Sequence, residues 1–122
     1  MFVRIDLTPS QQAVQACHAA IEAARSSLFP PGDEHPHLVL CGIGSEIELL
    51  NVLARLARLD IAFRPFCEPD LGGELTSLCT RPLRGDERLP LRHFRCLGAS
   101  RSQSLPGKTP PPLGKGGGVA AG

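Results

Sequence analysis

A small α/β layer fold is predicted for this 122-residue chain by three observations. Short apolar runs of strand length alternate with segments whose apolar residues recur at the helical period. Two of the helical segments open on capping signals directly after a strand-like run. Turn-forming clusters of proline and glycine separate the pieces. Read in order they give β-α-β-α-β-β-α, which implies a small mixed sheet with helices packed on it.

Residues 2–7 form the first predicted strand, with Phe2, Val3, Ile5 and Leu7 interleaved by Arg4 and Asp6. Thr8-Pro9-Ser10-Gln11 then supplies an N-cap, a proline at N1 and a glutamine at N3, opening a helix that runs to about Leu28. Its expected inward stripe is Val14, Cys17, His18, Ile21, Ala24 and Leu28. Residues 37–41, with Leu38-Val39-Leu40, read as a buried strand. Ser45 and Glu48 form a second capping signal for a helix to about Leu59, with Ile47, Leu50, Leu53, Ala54 and Ala57 expected inward. Residues 61–67 make a third strand, whose Pro65 argues for an edge position. A turn at 68–73 leads to a fourth strand over 75–80, and residues 85–94 read as a short final helix in which Pro90 must fall in the first turn.

The length suits one domain, expected over residues 1–97, and residues 98–122 read as a disordered tail. The tail holds seven glycines, four prolines, both lysines and no acid, for a net charge of +3. The preceding part has ten arginines against twelve acids, a net of −2. The near-neutral total gives no argument for nucleic-acid binding from net charge alone. No apolar run reaches the roughly 20 residues of a membrane span, and the first residues lack a signal-peptide pattern. The five cysteines are widely spaced, form no C-x-x-C pair and each sit among apolar neighbours. That pattern suits reduced core thiols in a cytoplasmic protein rather than a disulfide or zinc framework. His35-Pro36-His37 has no third ligand at a recognised spacing, so no metal site is expected.

Four groups of residues could carry chemistry. His18 follows Gln15 by about one helical turn, so both can address a group above the helix, as a general base or as a hydrogen-bonded pair at the core margin. Glu68 and Asp70 follow a strand end, where binding residues of α/β sheets gather, and read either as a water-activating pair or as a solvated acidic turn. Gly42-Ile43-Gly44-Ser45 is a phosphate cradle or a tight strand-to-helix turn. Arg84, Arg88, Arg92 and Arg95 form a basic region in which Arg88, Arg92 and Arg95 would share one helical face, suited to phosphate or simply to solvent. With neither tryptophan nor tyrosine, contact with a nucleic-acid backbone is favoured over base stacking.

Val3-Arg4-Ile5-Asp6-Leu7, followed by Gln15-Ala16-Cys17-His18-Ala19-Ala20, resembles the opening of the type II peptidyl-tRNA hydrolases. That family carries an R-x-D-L strand end and a Q-x-x-H-A-A helix. Gly73-Glu74-Leu75-Thr76 is similar to its G-x-x-T at the fourth strand. The resemblance spans residues 2 to about 97 and implies a four-stranded mixed β-sheet between helices, a three-layer α/β/α arrangement, and commonly a homodimer. It implies a hydrolase that cleaves the ester of peptidyl-tRNA, or a related aminoacyl-tRNA ester, without metal or organic cofactor. On this chain His18 and Glu68 would activate water and Thr76 would serve the oxyanion. Gln15 and Asp6 would complete the catalytic set, and the arginines would meet tRNA phosphates. The family's G-K-G-K loop is replaced here by Thr8-Pro9-Ser10-Gln11-Gln12, without lysine. The alternative functions are a catalytically inactive RNA- or protein-binding module and a small-molecule hydrolase or sensor on the same scaffold.

Overall fold

A computed structural model describes residues 1–32 and 36–98. Its elements are β1 (Phe2–Arg4), α1 (Pro9–Arg25), β2 (Cys41–Ile43), α2 (Glu46–Arg58), β3 (Phe63–Glu68) and β4 (Glu74–Thr80). One 3-10 turn, Pro69–Leu71, lies between β3 and β4, and a 3-10 helix, Gly85–Leu91, follows β4. The four strands form one mixed sheet in the order β2-β1-β4-β3. β1 runs parallel to β2, and β4 runs antiparallel to both β1 and β3. The carboxyl ends of β1, β2 and β3 therefore lie at one end of the sheet, with the start of β4 among them.

Both helices begin where local chemistry places them. The Thr8 hydroxyl accepts from the Gln11 N–H at 3.2 Å, and the Gln11 side chain returns a bond to the Thr8 N–H at 2.9 Å. The Ser45 hydroxyl accepts from the Glu48 N–H at 3.3 Å. The Glu48 carboxylate bonds that same hydroxyl at 3.2 Å, so an acidic side chain of the protein itself sits at the helix start. A Cβ on Gly42 would collide with Ile5. The glycine pattern at 42–45 is thus explained by a tight turn.

The buried faces differ from the expected stripes. On α1 the buried residues are Gln15, Ala16, Ala19 and Ala23, whereas Val14 and Ile21 are each 50% exposed and Cys17 is exposed. On α2 they are Leu49, Val52 and Leu56, with Ile47 71% exposed. The small alanines allow α1 to approach the sheet closely, a preference that outweighs the size of the apolar side chains on its other faces. The two helices address separate clusters. Leu49, Val52 and Leu56 pack with Phe2, Ile43, Leu75 and Leu78, while Ala19 and Ala23 pack with Cys79 beside Phe66. The sheet lies between them.

β3 is an edge strand, as Pro65 requires, and it pairs with β4 through an irregularity. Phe66 faces Ser77 and Cys67 faces Leu75, leaving Thr76 as the extra residue of a β-bulge. Leu75 and Leu78 consequently point to the α2 side, while Thr76 and Ser77 both bond to Gln15 on α1. At the opposite edge, the Leu97 N–H donates to the Leu40 carbonyl and the Gly42 N–H to the Arg95 carbonyl, so residues 95–97 run antiparallel along β2.

The second strand begins at Cys41 rather than at residue 37, and Leu38 and Val39 are exposed beside a cavity instead of buried in the sheet. The final helix is of the 3-10 type and holds Pro90 at its sixth position, where an α-helix would lose a hydrogen bond and meet a steric clash. Cys41 and Cys79 are buried, but Cys17, Cys67 and Cys96 are exposed; all five are free thiols. Among the described residues no helix is long and apolar enough to cross a membrane. Beyond Gly98 the predicted tail lies outside the described residues, as does His35.

Candidate functional site

Gln15, Glu68 and Thr76 meet at the sheet end that holds the carboxyl terminus of β3. Gln15 is the seventh of the seventeen residues of α1 and is only 4% exposed. Its Nε2 donates to Glu68 Oε1 at 2.7 Å, and its Oε1 accepts from Thr76 Oγ1 at 2.5 Å. The second Glu68 oxygen accepts from the Asp70 N–H at 3.2 Å, which caps the 3-10 turn. These donors hold the Glu68 carboxyl below its usual range, the Gln15 amide contributing most and the nearby His18 adding a smaller effect in the same direction.

Local sequence explains the convergence. The β3–β4 connection closes through Gly72 and Gly73, both at positive φ, and brings Glu68 opposite Glu74. The bulge turns Thr76 toward α1, where its hydroxyl is fully buried and also lies 3.3 Å from the Phe66 carbonyl. Ser77, the next residue, donates to the Gln15 main-chain carbonyl at 2.7 Å and so fixes the height of α1 above the strand. His18 lies less than one turn beyond Gln15 on α1 and stacks on Phe66, with ring centroids 4.3 Å apart and planes 7° from parallel. Its ring is half-buried rather than enclosed.

Asp6, the remaining expected catalytic residue, lies just beyond the end of β1. It holds Arg4 in a two-pronged pair, with Arg4 Nε to Oδ1 at 3.0 Å and Nη2 to Oδ2 at 2.9 Å. Arg4 Nη1 also donates to Glu74 Oε1 at 2.8 Å and to the Leu75 carbonyl at 3.1 Å. These contacts raise the Arg4 pKa and lower that of Asp6, in each case chiefly through the Arg4–Asp6 hydrogen bonds. On α2, Glu46 Oε2 accepts from the Leu75 N–H at 2.9 Å. The start of β4 is thus tied to β1 and α2 immediately before Thr76.

The basic residues do not share an α-helical face: Arg88 lies in a 3-10 helix of about three residues per turn, which starts after Arg84 and ends at Leu91, before Arg92 and Arg95. Arg84, Arg88, Arg92 and Arg95 are all exposed, and none of their guanidinium groups has a carboxylate within 4.0 Å among the described residues. Arg84 and Arg88 lie near the far end of β4, by Thr80, and the main chain of Arg95 runs along the β2 edge. Arg81 is paired with Glu87 at 3.0 Å. No group of three or more potential metal ligands occurs among the described residues.

The residues missed in the sequence are Arg4, Phe66, Glu74 and Ser77. A signal for one of them, Ser77, was present: Leu75-Thr76-Ser77-Leu78 breaks the two-residue alternation of a strand with adjacent polar side chains, as a bulge does. Nothing local announces the Phe66–His18 stack, which joins residues from different elements. The chain matches no family model, no curated protein and no solved structure.

Proposed function

We propose that this protein is an ester hydrolase of the peptidyl-tRNA class, with His18 as general base and Glu68 as its fixed anion. The observation that supports this reading is the clamped Gln15 amide, which fixes the Glu68 carboxylate on the helix that carries the half-buried His18 ring, close enough for His18 to lower the Glu68 pKa slightly though the two form no ion pair within 4.0 Å. A carboxylate of lowered pKa is ionised at neutral pH but is a weak base, so its best use is to stabilise a cation next to it. His18 would take a proton as water oxygen attacks the ester carbonyl carbon. The resulting imidazolium, steadied by Glu68, would return the proton to the departing ribose oxygen as the ester C–O bond breaks. The products are a peptide with a free carboxyl group and a tRNA with a free terminal hydroxyl.

Thr76 is a positioning residue in this scheme, because its buried hydroxyl is engaged by Gln15. The second N–H of Gln15 Nε2 is then the donor for the developing oxyanion. Asp6 acts through Arg4, which holds the start of β4. Arg92 and Arg95 are the cations assigned to tRNA phosphates, with no cofactor in the reaction.

The second reading, a non-catalytic RNA- or protein-binding module, is favoured by one observation. The most buried arginine near the site, Arg4, is spent on Asp6 and Glu74, and no lysine precedes residue 108. The test is release of labelled peptide from peptidyl-tRNA by the purified chain and by His18→Ala. The hydrolase reading expects release, reduced at least about 100-fold in the variant. Binding of tRNA without any release at high protein concentration would establish the second reading instead.

A further inference from the structure

A cavity of about 410 Å³ opens at the other end of the sheet, between the close of β4, the 3-10 helix and the segment before β2. Its volume falls in the range of small-ligand pockets. Phe2, Leu38, Val39, Leu83 and Leu91 supply apolar wall, and the buried thiols of Cys41 and Cys79 line it as well. Burial pushes both thiols up, which keeps this part of the lining uncharged at neutral pH. Leu38 is 63% exposed and Val39 53%, an apolar surface left open where a buried strand had been expected.

The polar members of the lining are mostly cationic or already engaged. Arg81 is held by Glu87 in a two-pronged pair at 3.1 and 3.0 Å. Arg84 and Arg88 also line the cavity and are exposed; their guanidinium groups form no ion pair within 4.0 Å among the described residues, while the Glu87 carboxylate that holds Arg81 also accepts from the Arg84 main-chain N–H at 2.9 Å. An apolar hollow bordered by two guanidinium groups that are unpaired among the described residues matches a ligand with an apolar body and one anionic end. The side chains of residues 98–122 offer these arginines no carboxylate, being cationic at three positions and acidic at none.

We propose that this cavity binds an amphipathic carboxylate, with an acyl body against Leu38, Val39 and Leu83 and its carboxylate held by Arg84 and Arg88. The site is separate from Gln15, His18 and Glu68, and it stands or falls independently of ester hydrolysis.

Met1 lines the cavity and is the single methionine of the chain, so a ¹³C-methyl methionine label reports occupancy through one resonance. The full chain is titrated with decanoate and, separately, with decanol. Decanoate is expected to shift the Met1 methyl signal saturably, and decanol to bind about tenfold more weakly. An Arg84→Gln/Arg88→Gln double variant should lose about tenfold in decanoate affinity while its decanol affinity stays unchanged. Leu38→Glu, at an exposed position, should abolish decanoate binding by placing a like charge in the wall. The proposal is overturned if the Met1 signal does not saturate, if the two probes bind equally, or if the double variant binds decanoate as tightly as the parent.

Discussion

The Gln15 amide has two chemically different ends, and its surroundings allow one orientation. Ionised Glu68 only accepts and the Thr76 hydroxyl can donate, so Nε2 faces the carboxylate and Oε1 the hydroxyl. Replacing Thr76 with valine would keep the shape but leave Oε1 buried without a donor. We expect Thr76→Val to cost about 1–3 kcal/mol in urea denaturation, and Thr76→Ser to recover most of that. Glu68 adds a pH dependence of definite sign. Its folded pKa lies below its unfolded value, so its contribution is complete above the unfolded pKa and is lost as pH falls through the folded one. Melting temperatures measured from pH 6 downward should therefore fall more gently for Glu68→Gln than for the parent. Parallel curves would show that the Gln15 bond contributes nothing to the folded state.

At the scale of elements, α1 is the decisive case. Its start was legible in the sequence because capping is local: Thr8, Pro9 and Gln11 act within one turn. Its inward face was not, because that depends on what the sheet offers. The bulge at Thr76 presents two polar side chains to Gln15, and Cys79 leaves room only for alanine. Apolar size pointed to Val14 and Ile21, which remain half-exposed. Ala19→Leu should accordingly destabilise the protein by about 1–3 kcal/mol through overpacking, whereas Val14→Ala should change stability by less than about 0.5 kcal/mol. Thermal or urea unfolding of the pair distinguishes the two faces. If Val14→Ala costs more than Ala19→Leu, the assigned face of α1 is wrong. The 3-10 helix gives a similar lesson: the arginine spacing suggested one α-helical face, but Pro90 sets a different period.

Across the whole molecule, the fold was more legible than the site. Strand count, helix order and the edge position of β3 follow from patterning and from Pro65, all readable within short windows. The meeting of Gln15 with Glu68 and Thr76 spans 53 and 61 residues of sequence. It depends on a strand bulge and a paired-glycine turn acting together. Arg4 connects these distant pieces: it is buried, and through Asp6, Glu74 and the Leu75 carbonyl it joins the end of β1 to the start of β4. Removing both of its carboxylate partners would strand a buried guanidinium. Asp6 and Glu74 are themselves 41% and 48% exposed, so water screens part of the pairing. We expect Asp6→Asn combined with Glu74→Gln to cost about 1–2 kcal/mol in urea denaturation. A cost near zero would mean that Arg4 does not brace the site.

The proposed chemistry depends on Glu68 acting as a fixed anion beside His18. Single-turnover peptide release from peptidyl-tRNA, compared between the parent and a folded Glu68→Gln variant, tests that dependence most directly. The glutamine keeps the shape and can still accept from Gln15, but removes the charge. The expected result is release by the parent and a loss of at least about tenfold in the variant, with tRNA affinity unchanged. Equal rates for the two proteins, or no release by either, would contradict the assignment of this site to ester hydrolysis.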